Sequence, residues 1–429
     1  MTKARVLGLL AAVACLVLAP ATGWGAGFAL FEHGARAMAL GGAFGATADD
    51  PTALYFNPAG IAFLPGTQFA LGTTLITESS KFSGANPYPG QGYSVDMKQQ
   101  VFFPSHAYVT GEITSDLHWG MGVYSPFGLG TWWPDEYAGK FISKRVDLKV
   151  FDFIPTLAYK FSDNLAVGAG ADYFYSILSL TKSLGAINPY TQQVAEVGQV
   201  HLSTDADSGW GWHGAVLAKM EGGFSLGLTY RSEVRIDYKG NASFTQFLTG
   251  YPDFDQIVAT QLPFNTKVAA STTIKYPSEE RVALAWHGGA WGVEVDWVRD
   301  GWSSFKDLPI ILPAYPQLSE TRVENYKDSD NWRLGIEYRS SPQWAWQLGY
   351  VHDNNPVPDA SVSPLLPDSD RNGYCIGGSL NFSPKSRLDV SYMYLPFKDR
   401  STNGVDSDGY NGTYKTTANL FSLTWSYKF

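Results

Sequence analysis

The chain has 429 residues with 31 basic and 40 acidic side chains, a formal net charge of −9, so it lacks the basic face that nucleic-acid binding requires. Charged residues make up 17% and aromatic residues 15% of the sequence, with 44 glycines, whereas soluble domains usually carry about 25% charged residues. No run of 18 apolar residues follows residue 25, which excludes a helical membrane span there. This composition is typical of a large β-barrel whose outside faces lipid and whose inside is polar.

The first 25 residues have the composition of an export signal. Lys3 and Arg5 precede an apolar run at residues 6–19 that is too short to span a bilayer as a helix. Small residues follow at Gly23 and Gly25. We predict a cleaved signal peptide at residues 1–25, cut after Gly25, with a cut after Gly23 as the alternative.

Residues 26–65 differ from everything that follows them. They are rich in Gly and Ala, show no alternation, and contain the breakers Pro51 and Pro58. A short irregular segment ahead of a long all-β chain is suited to plug a barrel. We therefore predict a hatch at residues 26–65 inside a barrel formed by residues 66–429.

Period-two alternation predicts about fourteen antiparallel strands after the hatch. Tyr276-Pro277-Ser278-Glu279 could divide one of them, but the even count typical of bacterial barrels favours an undivided strand. Long and short connections also alternate, as external loops and periplasmic turns require. The predicted strands are residues 67–80, 98–113, 116–125, 145–161, 164–182, 196–220, 223–246, 266–288, 290–306, 328–340, 343–353, 371–383, 386–398 and 415–429.

The alternation also assigns charged side chains to the lumen. Glu294, Asp296, Arg333 and Glu337 alternate with apolar neighbours, and residues 231–237 form a further charged row. Charges enclosed by a barrel must be paired. We expect these groups to pair across strands and to hold the hatch; a selectivity lining is the alternative.

Several stretches together resemble one family of outer-membrane proteins. They are Ala26-Gly27-Phe28, Ala48-Asp49-Asp50 followed by Asn57-Pro58-Ala59, and residues 124–129, 136–140, 229–234, 236–240, 326–328, 356–358 and 367–371. In this order they resemble the FadL-type outer-membrane long-chain fatty-acid and hydrocarbon transporters, also called toluene-uptake porins. The resemblance implies a fourteen-stranded barrel with an N-terminal hatch in the outer membrane of a Gram-negative bacterium. It also implies external docking of hydrophobic solutes, an inner pocket and lateral exit at a kinked third strand.

The residues expected to carry this route fall into four groups. A dense aromatic loop predicts a docking surface, with an interfacial aromatic girdle as the alternative: Phe127, Leu129, Trp132, Trp133, Tyr137 and Phe141. A group of glycines around a proline predicts a break in strand pairing at a lateral gap, with an ordinary strand end as the alternative: Gly120, Gly122, Pro126 and Gly128. The resemblance places Lys182 and Lys327 at a carboxylate head-group site, with solvated lysines as the alternative. It assigns Phe28, Asn57, Pro58 and Ala59 to the hatch and its gating.

Other chemistries find little support. No nucleophile elbow or base–nucleophile pair stands out, so we do not expect an enzyme. The seven histidines lack metal-ligand spacing, and we expect no metal or cofactor. Asp368–Gly373 resembles the start of a calcium loop, but its twelfth position is Ser379 rather than Glu.

We predict passive uptake of hydrophobic compounds, with long-chain fatty acids as the first candidate solutes. The alternatives are aromatic or aliphatic hydrocarbons on the same route and, more remotely, a general porin for small polar solutes. Expected partners besides the solute are outer-membrane lipid, lipopolysaccharide and the barrel-assembly machinery, which would engage the final strand ending at Phe429.

Overall fold

Period-two alternation gives the wall two different faces, because each strand can present apolar side chains to lipid and polar ones to the lumen. The computed structural model describes residues 27–429. The predicted signal peptide and Ala26 lie outside the described residues. Among residues 27–429 no helix is long and apolar enough to cross a membrane.

Fourteen antiparallel strands form one closed sheet, and several of them consist of two or three segments. They are β1 (Gln68–Gly84), β2 (Ser94–Asp96, Gln100–Phe102 and Ser105–Glu112), β3 (Leu117–Tyr124 and Gly128–Trp132), β4 (Arg145–Phe153 and Thr156–Ser162), β5 (Leu165–Ile187), β6 (Val194–Thr204 and Asp207–Met220), β7 (Phe224–Arg231 and Val234–Gln246), β8 (Lys267–Tyr276 and Glu279–Gly288), β9 (Trp291–Asp300 and Asp307–Ile311), β10 (Glu320–Val323 and Ser329–Arg339), β11 (Trp344–Asp353), β12 (Arg371–Ser383), β13 (Ser386–Pro396 and Arg400–Ser401) and β14 (Gly412–Lys428).

Helical structure is short and lies in the hatch and the loops. The α-helices are α1 (Ala35–Ala39), α2 (Ala53–Phe56) and α3 (Pro252–Gln261). The 3₁₀ turns are Pro58–Phe63, Ala138–Phe141, Glu221–Gly223, Trp302–Ser304, Pro316–Leu318 and Asp359–Ser361.

The barrel closes between its first and last strands. β1 and β14 pair without a break from Gln68↔Lys428 to Gly84↔Gly412. The predicted strand at 266–288 is interrupted at residues 277–278, but both of its segments pair with the same neighbours, β7 and β9. The structure therefore confirms the fourteen-stranded antiparallel barrel.

Interruptions within a strand can exchange its inner and outer faces. In β7 Arg231 is buried, as predicted for the lumen, whereas Arg235 and Asp237 are exposed on the outside of the wall. The two segments of β7 are separated by residues 232–233, which are outside the ladder. The prediction of one lumenal row through residues 231–237 was wrong, because it assumed unbroken alternation across this step.

The hatch, residues 27–65, fills the lumen and lies directly against the wall. Inward-facing positions of several strands are glycine where the hatch backbone approaches. A Cβ at Gly227 would lie 2.1 Å from the Gly45 oxygen, and one at Gly349 would lie 2.1 Å from the Gly41 nitrogen. The hatch backbone therefore contacts the wall directly at these glycines.

Candidate functional site

Two carboxylates of β9 hold the middle of the hatch. Glu294 accepts hydrogen bonds from the amides of Ala46 (2.6 Å) and Thr47 (2.9 Å). Asp296 accepts from the Gly45 amide at 3.1 Å and pairs with Arg281 of β8 at 2.9 Å. Because both carboxyl groups are buried, these hydrogen bonds replace the bonds to water that they have lost.

Arginines form the other ties between hatch and wall. Arg36 in α1 donates to Glu337 of β10 at 2.6 and 3.1 Å, and Arg387 of β13 pairs with Asp50 of the hatch at 2.6 Å. Arg231 of β7 donates to the carbonyl oxygens that end α2. The expectation that lumenal charges hold the hatch is therefore confirmed for these groups.

Asn57 joins the hatch to itself and to the wall. Its side-chain amide donates to the carbonyls of Gly45 (2.7 Å) and Val216 of β6 (3.1 Å), and its oxygen accepts from the Ala59 amide at 3.1 Å. Pro58 occupies the first turn of the 3₁₀ helix, where no donor is needed. All three residues are buried, and the motif sets a fixed turn in the hatch.

The third strand is broken where the wall opens. Residues 117–124 of β3 pair with β2 up to Ala107↔Val123. In the described part of the chain, the second segment of β3 has a ladder with β4 but none with β2. The two strands meet again through the Lys98 amide, which donates to the Trp132 carbonyl at 2.7 Å, and through the Gln100 side-chain amide, which donates to the Gly130 carbonyl at 3.3 Å. An opening, here called the mouth, lies between residues 102–105 and 125–130.

The first residues of the hatch bind the broken strand from inside. The Leu30 amide donates to the Pro126 carbonyl at 2.8 Å, and the Gly128 amide donates to the Phe28 carbonyl at 3.1 Å. Ala29 and Phe127 form an isolated antiparallel bridge. The backbone of the broken strand is thus satisfied by the hatch instead of by β2.

Phe28 fills an aromatic cluster beneath the external loops. Its ring is 6% exposed and lies 4.7 Å from Trp302 and about 6 Å from Phe127, Tyr276 and Phe305, centroid to centroid. Gly27 precedes it with a φ of +55°, and a Cβ there would lie 2.7 Å from Trp302. The position therefore requires glycine.

A cavity of about 310 Å³ extends from this cluster to the mouth. Its lining is mostly apolar. It includes hatch residues Phe28 and Leu30, mouth residues Phe102, Phe103, Pro104, Phe127 and Leu129, and wall residues Ile76, Leu148, Val150, Phe151, Leu366, Leu395, Phe397 and Leu420. Phe103 is 61% exposed and Phe151 is 37% exposed on the outer wall. The cavity therefore connects the barrel interior to the lipid-facing surface.

A few ionisable groups interrupt the apolar lining. Arg371 donates to Asp353 at 2.7 Å and lies near the carboxylates of Glu32 and Asp368. Asp368 accepts a hydrogen bond from the Gly27 amide at 2.9 Å. Burial raises the pKa of the Asp368 carboxyl to about 7, and the positive charge of Arg371 opposes that rise. The start of the hatch is thus tied to a titratable group in the loop before β12.

The predicted docking aromatics occupy several different environments. Phe127 and Leu129 line the cavity, and Phe141 is half-buried in an external loop. Trp133 and Tyr137 are buried and stacked at 5.4 Å, and the Trp133 indole donates to the Pro364 carbonyl at 3.0 Å. These two rings do not form an exposed docking surface, because external loops cover them. Trp132 is exposed on the outer wall.

The two predicted head-group lysines lie away from the cavity. Lys182 pairs with Glu320 of β10 at 2.6 Å. Lys327 has an exposed side chain in the loop segment within β10. Among the described residues that line the cavity, the basic side chains are Lys149 and Arg371. The placement of Lys182 and Lys327 by resemblance does not correspond to this cavity.

Two of the four glycine and proline positions predicted for the gap have another role. Gly120 and Gly122 pair with β2 in the intact part of the wall. A Cβ at Gly120 would lie 2.5 Å from Leu54 of the hatch, and one at Gly122 would lie 2.6 Å from Tyr108. They make room for lumenal side chains. Pro126 and Gly128 lie at the mouth, where they are hydrogen-bonded to the hatch.

Sequence reasoning missed Glu32, Glu78, Asp368 and Arg371 as part of the cavity. Residues 368–371 were singled out only as a resemblance motif and as a possible calcium loop. The hatch partner of Asp368 is Gly27, which is 341 residues away in the sequence. The available signal was the run of charges at the inner end of a predicted external loop.

Comparison with known proteins agrees with this architecture. A family profile described as "Outer membrane protein transport protein (OMPP1/FadL/TodX)" matches residues 16–429. The long-chain fatty acid transport proteins of Escherichia coli O6:H1 (strain CFT073) and Salmonella typhi are 26% and 27% identical, each with 95% of both chains covered.

Solved structures show the same fold. A Pseudomonas aeruginosa FadL homologue has a TM-score of 0.79 at 19% identity, covering 95% of this chain and 100% of that one. The Pseudomonas putida toluene transporter TodX has a TM-score of 0.70 at 18% identity, covering 94% and 99%. The chain described here belongs to the OMPP1/FadL/TodX family of outer membrane transport proteins.

Proposed function

We propose that this protein takes up hydrophobic compounds passively across the outer membrane and releases them sideways into the lipid. The observation that carries the proposal is the apolar cavity that runs from Phe28 to the mouth in β3. An apolar solute gains about 25 cal/mol for each Å² that leaves water. A path lined with apolar side chains therefore supplies the driving force without an energy source.

Lateral release suits such a solute better than a central channel. The lumen is occupied by the hatch, whose residues 35–62 are buried almost throughout. A general porin for polar solutes needs an open aqueous lumen, so we do not favour that alternative. The mouth instead opens beside Phe103 and Phe151, which face the hydrocarbon region.

The first residues of the hatch are the proposed gate. Displacement of Phe28 would empty the aromatic cluster, and it would also break the two backbone bonds to Pro126 and Gly128. Both changes enlarge the path between the external loops and the mouth. Asn57, Pro58 and Ala59 would stay in place, because their bonds hold the deeper part of the hatch to the wall.

Long-chain fatty acids are the first candidate solutes, because the curated relatives are named as transporters of them. Lys149 and Arg371 are the cations that line the cavity and could meet a carboxylate. Neutral hydrocarbons are the second candidate. The cavity also contains the four carboxyl groups of Glu32, Glu78, Asp147 and Asp368, and a solute without an acid group would not have to compete with them for Lys149 and Arg371.

The remaining partners follow from the position of the protein in the membrane. The exposed aromatic side chains of β14 end at Phe429, which is 71% exposed, and we propose this strand as the segment that the barrel-assembly machinery engages. Lipid and lipopolysaccharide would contact the outside of the wall. We propose no catalytic step, since the route requires only binding and release.

The proposal is tested by growth of a transporter-deficient, export-competent host on oleate. A Cβ at Gly130 would lie 2.2 Å from the Phe102 ring, so Gly130→Leu should fill the mouth and abolish the rescue that the unaltered chain provides. Gly378→Leu is the matched control, because its nearest neighbours lie at least 3.6 Å away.

Normal growth with a surface-inserted Gly130→Leu chain would exclude lateral exit through this mouth. Absence of rescue by the unaltered chain would exclude fatty acids, and toluene entry would then be measured with the same pair of variants.

A further inference from the structure

A polar depression lies on the outside of the barrel, next to the mouth and separate from the transport cavity. It has a volume of about 350 Å³ and lies across β4, β5 and β6. We call it the cradle and define it by Lys144, Arg145, Ser179, Thr181, Gln199 and His201; Trp132 and Asp135 also line it. None of these side chains lines the cavity that reaches Phe28.

Strand alternation shows that the cradle faces away from the lumen. In β4 Val146 and Leu148 are buried, whereas Arg145 and Lys149 on either side of them are exposed. In β5 Leu178 is buried on the lumenal side, and Ser179 is on the opposite face. The cradle therefore faces the surrounding membrane.

Its height on the wall corresponds to the outer headgroup region. Ser179 is about fourteen residues along β5 from Leu165 at the periplasmic end. A strand tilted by about 45° rises about 2.3 Å per residue along the membrane normal, which places Ser179 about 33 Å above Leu165. The outward apolar band of such barrels is about 25 Å tall. Directly below the cradle, Phe151, Tyr175 and Ile177 are exposed and apolar, as lipid-facing residues should be.

The charge around the cradle is positive. Lys98, Lys144, Arg145 and Lys149 surround the acidic residues Asp135 and Asp147, so the basic side chains exceed the acidic ones by two. The Lys144 ammonium is fixed by Asp135 at 3.0 Å and by Gln199 at 3.2 Å. It is a positioned charge rather than a mobile surface lysine.

Arg145 has the geometry of an anion-binding group. Its guanidinium is 4.9 Å from the centroid of the Trp132 ring, and the Lys98 ammonium is 4.5 Å from the same ring. Its nearest acidic partner, Asp147, is 4.0 Å away. A guanidinium that lies over an aromatic ring, and whose carboxylate neighbour is beyond hydrogen-bonding distance, can offer its planar fork to a phosphate.

We propose that the cradle binds a phosphate group of lipopolysaccharide in the outer leaflet. Arg145 would hold the phosphate through two parallel hydrogen bonds, and the hydroxyl of Ser179 would donate to a remaining oxygen. The neighbouring Thr181 hydroxyl is hydrogen-bonded to His201 Nδ1 at 2.9 Å. The acyl chains would then lie over Phe151, Tyr175 and Ile177. Because Lys149 and Phe151 also line the cavity, the bound lipid borders the mouth. The site depends on the position of the barrel in the outer membrane and not on which solute it carries.

The test uses the full-length protein in detergent, titrated with lipid A and followed by native mass spectrometry. The variant Lys98→Gln with Arg145→Gln removes two cations that do not line the cavity. We expect its affinity for bisphosphorylated lipid A to fall about tenfold or more, since hydrogen bonds to charged groups are lost. Arg145→Lys, which keeps the charge but not the fork, should fall by an intermediate amount.

Arg235→Gln with Lys239→Gln is the matched control, because it removes two cations from the outer face of β7. Arg235 is already bound to Asp237 at 2.8 Å, so lipid A affinity should remain unchanged. Dephosphorylated lipid A should bind weakly, and with the same affinity, to the unaltered protein and to the Lys98/Arg145 variant.

Three results would overturn the proposal. They are equal affinity of the unaltered protein and the Lys98/Arg145 variant, equal loss in the Arg235/Lys239 control, and equal binding of phosphorylated and dephosphorylated lipid A. Displacement of lipid A by millimolar inorganic phosphate would identify a site for free phosphate instead. Retention of heat-modifiable electrophoretic mobility verifies that each variant is folded.

Discussion

Replacement of Phe28 by alanine tests whether the start of the hatch is a separable gate. The ring is 6% exposed and lies against four aromatic rings, and Phe→Ala changes at buried sites cost about 3–5 kcal/mol. This energy stabilises only the attached position of residues 27–30, because the rest of the hatch has its own bonds to the wall. Since about 1.4 kcal/mol corresponds to a factor of ten, release of the segment should become at least about 100-fold more favourable.

Hydrogen exchange of peptides containing residues 28–30 and 126–128 measures this release. The Leu30 and Gly128 amides form the two bonds between hatch and broken strand, so both should exchange about 100-fold faster in Phe28→Ala. Phe44→Ala is the control, because Phe44 is equally buried but packs on Phe56 deeper in the hatch. Unchanged exchange at Gly128 in Phe28→Ala would refute the reasoning, as would equal acceleration in Phe44→Ala.

Three further outcomes are expected. Lys182→Ala with Lys327→Ala should change oleate uptake by no more than about twofold, since Lys182 is part of an exposed ion pair; abolished uptake would return these lysines to the mechanism. Glu294→Gln replaces one of the two oxygens that accept hydrogen bonds from the hatch by a nitrogen that cannot accept one, which costs about 1–3 kcal/mol. Planar bilayers should therefore show more open-channel events than with the unaltered protein; identical conductance would contradict the anchoring role. The pKa of Asp368 is about 7 in the fold, above the value of about 3.9 for an exposed aspartate, so the folded state binds this proton more tightly. The stabilisation that the bound proton provides is complete below about pH 4 and is lost as the pH rises towards 7. The melting temperature of Asp368→Asn relative to the unaltered protein should therefore rise between pH 4 and pH 8, and a constant difference would count against this linkage.

The fold could be predicted from the sequence because its determinants are local. Alternation such as Phe421, Leu423 and Trp425 against Ser422 and Thr424 assigns both the strand and its faces. Alternation fails where a strand is interrupted, and for that reason Arg235 was placed on the wrong face. The hatch could be recognised by its lack of alternation, and the lumenal charges by their position between apolar neighbours.

The cavity could be predicted only in part because its determinants are distant in sequence. Pro126 and Gly128 predict a break in strand pairing, but the sequence does not show that Phe28 and Leu30 supply the missing hydrogen-bond partners. Trp133 and Tyr137 form a dense aromatic run, yet the burial of that run depends on other external loops that contribute Pro364 and Tyr410. Arg371 enters the cavity because β12 begins beside the hatch, which no periodicity reveals.

The unequal attachment of the hatch has a consequence for the cell's permeability barrier. Residues 27–30 are held at the mouth by two backbone bonds to β3, one hydrogen bond from the Gly27 amide to Asp368 and the ring of Phe28. The deeper hatch is fixed by buried ion pairs involving Arg36, Glu337, Asp50 and Arg387. On the proposed route, a solute would displace the first few residues while the lumen stays closed to water and ions. Uptake of apolar nutrients would thereby be separated from the entry of small toxic solutes within one barrel, because the lateral apolar route would open without opening an aqueous channel.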